Sequence, residues 1–75
     1  LIGDALGYVE CSEVKQEFFR EYEHENIASV RETCGPNTAG CAFYNKAYCD
    51  IHYERGDMLT RRHECTHCVK GNFHP

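Results

Sequence analysis

The segment TAGCAFYNKAYCDIHYERG, residues 38–56, decides how the chain is read. Thr38 is a good side-chain N-cap. Cys41, Tyr44, Tyr48 and Ile51 follow it at intervals of three, four and three, the spacing of one helical face. Gly56 is a helix stop. The segment lacks the Val/Ile/Thr alternation bounded by Asn-Gly or Asp-Gly that announces strands and their hairpin. The spacing therefore predicts a helix over residues 38–55.

The flanks extend that reading. Beyond the segment, Asp57 caps a further run in which Met58, Arg62, Cys65 and Val69 fall on one line, and Lys70-Gly71 supplies a basic last turn and a stop, so a helix is expected over 58–70. Before it, Ser12 is an N-cap, Glu13 sits in the first turn, and Cys11, Val14, Phe18 and Tyr22 share a face. Gly35-Pro36 ends that run. Phe19, Ile27, Val30 and Cys34 lie roughly 80–160° round from the first stripe, so the helical run over 12–34 bends or breaks near Glu23-His24-Glu25-Asn26. Residues 1–10, with two glycines and no sustained period, read as an irregular arm. The expected fold is all-α: a single domain over 1–75, a disulfide-stapled bundle of three short helices (four if the first is broken) with an irregular N-terminal arm.

Six cysteines, Cys11, Cys34, Cys41, Cys49, Cys65 and Cys68, set the compartment. A chain of 75 residues buries only about 60% of the surface its unfolded form exposes. Its core is marginal without cross-links, and an even cysteine count at this density reads as three bridges in a secreted, extracellular protein. An up-down-up bundle favours Cys11–Cys49, with Cys34 and Cys41 each joined to one of Cys65 and Cys68. The competing set has Cys34–Cys41 and Cys65–Cys68 as local loops. The apolar stretches are only two or three residues long and the chain starts at Leu1, which leads us to expect a processed product with neither signal peptide nor membrane span.

Charge narrows the partners. The formal net charge is −4; residues 1–35 hold eight acids and three bases, residues 36–75 four acids and five bases together with four of the five histidines. Without a basic face, a nucleic-acid partner is not expected. Protonating the histidines would carry the charge from −4 to +1, making the surface pH-dependent between about 5 and 7.

Chemistry-bearing groups are few. The stretch HECTHC, His63 to Cys68, contains a Cys-x-x-Cys at zinc-ligand spacing, and His52, His63, His67 and His74 could complete a site. With every cysteine oxidised, the histidines alone would bind copper or zinc, His63 and His67 being four apart on one helix face. The His-Asp pair that secreted phospholipases place beside a cysteine is not formed in CDIHYERG, 49–56: His52 is followed by Tyr53, and Asp50 precedes it. Ser12 is a cap, no oxyanion-hole motif is present and no cysteine is left over, so an enzyme is not expected.

The reading that remains is a secreted, cysteine-rich, non-enzymatic protein that binds a protein receptor or target as a toxin, effector, pheromone or hormone-like signal in signalling. It needs no cofactor. Its candidate surface is Phe19, Phe43, Tyr53, Arg61 and Arg62, aromatic and cationic groups of the kind binding surfaces use. The alternatives are a defence protein that sequesters copper or zinc through His52, His63, His67 and His74, and a reduced intracellular zinc module.

Overall fold

The segment expected to be the second helix is instead a β-hairpin. In the computed structural model, which describes residues 7–73, strand β2 (Gly40–Tyr44) turns back antiparallel into strand β3 (Cys49–Glu54) with Ala42 opposite Ile51. Asn45 makes the turn. Its side-chain oxygen accepts from the backbone N–H groups of Ala47 (2.7 Å) and Tyr48 (3.1 Å), the local bonding by which Asn initiates turns. Cys49, Ile51 and Tyr53 are buried at period two, whereas Tyr44 and Tyr48 are exposed, so the three-four-three line is not an inward face.

The first expected helix is also largely replaced. A single 3-10 turn, Cys11–Glu13, starts it, closed by a reciprocal Glu10–Glu13 box rather than by Ser12. It goes no further because the Gln16 side-chain amide donates to the carbonyls of Val14 (2.6 Å) and Cys11 (3.4 Å), the acceptors a continuing helix would need. Strand β1 (Phe19–His24) follows and pairs in parallel with β3, Phe19 opposite Cys49 through His24 opposite Glu54. The anticipated break near Glu23–Asn26 is the strand-to-helix junction. Asn26 caps helix α1 (Ile27–Cys34) by accepting from Ser29 N–H at 2.9 Å, and Gly35, at φ 112°, ends it where Gly35-Pro36 predicted.

Only the last helix has the expected bounds. Helix α2 (Met58–Lys70) is capped by Asp57, which accepts from Thr60 N–H at 3.2 Å, and is stopped at Gly71. Its inward side carries Glu64, Cys65 and Thr66, while Met58 and Val69 are about half exposed. The chain is therefore a small α+β fold with a three-stranded mixed sheet in the order β1-β3-β2, not an all-α bundle. Most of the expected N-terminal arm lies outside the described residues. Its last part, Tyr8–Glu10, runs along α2, with Val9 N–H donating to Thr66 Oγ1 at 3.0 Å.

All six cysteines are paired, as the count implied, but in another pattern: Cys11–Cys65, Cys34–Cys41 and Cys49–Cys68. The favoured Cys11–Cys49 does not form. Of the competing local pairs, Cys34–Cys41 is present and Cys65–Cys68 is not. The alternation of strand side chains explains the pairing. Cys49 shares a sheet face with Ile51 and Tyr53 and meets α2 through Cys68, whereas Cys41 lies on the other face and meets α1 through Cys34. Helix α2 and the 3-10 turn thus close one face over a core of Cys11, Val14, Cys49, Ile51, Tyr53 and Cys65, against which Phe18, Phe19 and Ala42 pack. Three bridges and the absence, among the described residues, of a helix long and apolar enough to cross a membrane are consistent with a secreted protein.

Candidate functional site

The second sheet face is only partly covered. Alternation sends Arg20, Tyr22 and His24 from β1, Cys41 and Phe43 from β2, and Asp50, His52 and Glu54 from β3 to this side. Helix α1 closes the Cys41 end with its disulfide, and Ser29 Oγ shares a 2.7 Å hydrogen bond with His24 Nδ1. Beyond that cover, Tyr22 (40% exposed) and Phe43 (46% exposed) stand in solvent on either side of His52.

His52 is the hub of this surface. Tyr22 lies opposite it in register and stacks on its ring at 4.7 Å, 12° from parallel. Phe43 meets the ring edge-on at 5.7 Å, and His24 Nε2 is hydrogen-bonded to His52 Nδ1 at 3.0 Å. Burial among these rings, and then the neighbouring His24, hold the His52 pKa below the ordinary histidine value; Asp50 offsets part of that. At the rim Arg20 Nε donates to Asp50 Oδ1 at 3.0 Å, and exposed Tyr48 sits in the turn between β2 and β3. The outcome is an aromatic, mildly amphipathic platform.

The residues expected to form a surface are split between the two sides. Phe43 belongs to the platform. Phe19 packs half-buried against the core, and Tyr53 is buried with its hydroxyl donating to Glu21 Oε1 at 2.9 Å. Arg61 clamps the same carboxylate with two hydrogen bonds, Nε to Oε1 at 2.6 Å and Nη2 to Oε2 at 3.2 Å, which holds the Glu21 pKa below the ordinary range. Arg62 pairs with Glu10 at 3.1 Å.

The expected metal set is likewise divided. His52 lies across the sheet from His63 and His67, which belong to α2, and His74 lies outside the described residues. His63 and His67 meet each other edge-on at 5.0 Å; His63 Nδ1 is hydrogen-bonded to Tyr8 Oη at 2.7 Å and His67 Nδ1 to the Gly71 carbonyl at 2.9 Å. Cys65 and Cys68 are committed to Cys11 and Cys49, so their thiolates are not ligands in this state. Among the described residues, no group of three or more histidine, cysteine or acidic side chains is placed to hold a metal ion.

Sequence reasoning missed two groups. In the sequence His24 falls where the helical run bends or breaks, and no local signal ties it to His52, 28 residues on. Glu64 stands inside HECTHC among metal-capable residues, yet it is the acid that α2 buries, only 6% exposed. Comparison with protein-family models, with curated proteins and with solved structures finds no match for the chain.

Proposed function

We propose that the protein is a secreted binding protein that engages a protein partner through the uncovered sheet face, with Tyr22, Phe43 and His52 at its centre and Arg20, Asp50 and Tyr48 at its rim. It would serve as a toxin, effector or signal of the kind that three bridges in so short a chain suit. One observation carries the reading: two large aromatic side chains, each at least 40% exposed, flank a partly desolvated histidine on a sheet locked from behind by Cys49–Cys68 and from its end by Cys34–Cys41. Aromatic groups already held in place lose little conformational freedom on binding, and such groups dominate interface energies.

The test is a photo-crosslinking amino acid placed at position 43, or at position 69 as a control on the far side, followed by identification of the captured partner. Binding of that partner is then measured with Phe43→Ala and Tyr22→Ala, each expected to weaken it tenfold or more, and with Val69→Ala, expected to be neutral. Affinity should be unchanged in excess chelator. Equal capture from position 69, unchanged affinity in both platform variants, or binding that requires added copper or zinc would overturn the reading.

A further inference from the structure

On the other side of the sheet, α2 crosses the edge strand β2 and leaves a cleft of about 300 Å³ lined by Tyr8, Ala39, Gly40, Leu59, Thr60, His63 and Glu64. Gly40 makes the room. A Cβ there would come within 2.6 Å of Thr60 Cγ2, 2.7 Å of the His52 carbonyl oxygen and 3.4 Å of Glu64 Oε2. The Glu64 carboxylate lies against that space on a residue only 6% exposed; among the described residues no hydrogen bond or ion pair reaches it, and its oxygens stay open to the cleft rather than sealed in the core. Desolvation alone acts on it, pushing its pKa up to about 7.

We propose that this cleft is a recognition pocket for one organic cation, an ammonium or guanidinium group on a short apolar stem, with Glu64 as its counter-charge. A largely desolvated carboxylate without a donor is costly, and a cation bearing N–H groups entering the cleft supplies charge and hydrogen bonds together. Among the described residues, no lysine or arginine lines the cleft. Asp57, which caps α2, is occupied with Thr60 Oγ1 at 2.6 Å and does not line the cleft. A bare divalent ion would want several oxygen ligands where the cleft offers one free carboxylate. The volume equals about ten water-sized atoms, enough for a basic side chain or a small amine, and Ala39, Leu59 and the Tyr8 ring supply the apolar wall. The pocket is independent of the aromatic platform, which lies on the opposite face.

The experiment titrates the intact oxidised protein with n-butylammonium, with N-butylguanidinium and with a blocked Gly-Lys-Gly peptide, using 1-butanol and a norleucine peptide as neutral controls. Amide resonances of Gly40, Thr60 and Glu64 are followed by NMR. The cations should give saturable shifts at these positions and the neutral probes none. Tighter binding of the peptide assigns the pocket to a partner's basic side chain, and tighter binding of the free cations to a small amine. Because only the ionised fraction of Glu64 binds, affinity should fall about fifty-fold from pH 7 to pH 5. Of the titratable groups lining the cleft, Glu64 and His63 come from α2 and Tyr8 from the arm; protonating His63 acts in the same direction. Glu64→Gln should weaken binding at least tenfold with an unchanged circular dichroism spectrum, and the pH series on the unaltered protein makes the same test without a variant. Equal shifts with 1-butanol, pH-independent affinity, or undiminished binding by a folded Glu64→Gln protein would overturn the proposal.

Discussion

Removing the three disulfides one pair at a time should produce a fixed order of damage. The chain-entropy relation gives about 4.2 kcal/mol for the 54-residue separation of Cys11–Cys65, about 3.2 for the 19 residues of Cys49–Cys68 and about 2.4 for the 7 residues of Cys34–Cys41. A 75-residue domain has a net stability of roughly 4–11 kcal/mol. Loss of the first bridge therefore removes between two-fifths and all of it, whereas loss of the third leaves a folded protein. Burial sharpens the contrast, since Cys11, Cys49 and Cys65 are core residues and Cys34 and Cys41 are only half-buried. Paired Cys→Ala variants suit the test because alanine leaves no hydroxyl to satisfy in the core. Urea unfolding followed by far-ultraviolet circular dichroism and tyrosine fluorescence, with slopes compared to confirm two-state behaviour, yields the three free energies. A Cys34→Ala/Cys41→Ala protein as destabilised as Cys11→Ala/Cys65→Ala would refute the argument from chain closure.

Three further outcomes follow from the side chains already described. The Glu64 pKa is about 7 in the folded chain, above its ordinary value, so the folded state binds the extra proton and stability is lost as pH rises from about 4.5 through 7; Glu64→Gln should remove that loss and be the more stable protein at pH 8 by about 3 kcal/mol in urea unfolding. Gly40→Ala should destabilise the protein by roughly 1–3 kcal/mol, because its Cβ meets a strand carbonyl that cannot move away without parting β2 from β3, and the same unfolding measurement checks it. His52 should titrate below the ordinary histidine midpoint in NMR, and Tyr22→Ala, by letting water reach the ring, should bring that midpoint back up.

Features set by local chemistry were legible in the chain. Asp57 before Met58, and Gly71 after Lys70, bound a helix whose backbone ladder is local in sequence, and the helix forms between those marks. Gly35 ends α1 for the same reason. The even cysteine count announced three bridges. The strands were not legible, because each depends on a partner distant in sequence: β1 pairs with residues thirty positions on, and as an edge strand with mostly exposed side chains it carries no hydrophobic alternation to read. In residues 38–56 two periods coexist, Cys41-Tyr44-Tyr48-Ile51 at helical spacing and Cys49-Ile51-Tyr53 at strand spacing. The second prevails because β1 on one side and β2 on the other satisfy the backbone of β3 while α2 covers its apolar face. Once that strand exists, alternation decides the rest: it sends Cys49 to Cys68 and Cys41 to Cys34, brings His24 to His52, and leaves Phe43 in solvent while Tyr53 goes into the core. The chain's own residues determined its bridges in number, its caps and its last helix. Which cysteines meet, which aromatics face a partner and which acid is buried were decided by the sheet, since face and register are relations between strands and belong to no segment alone.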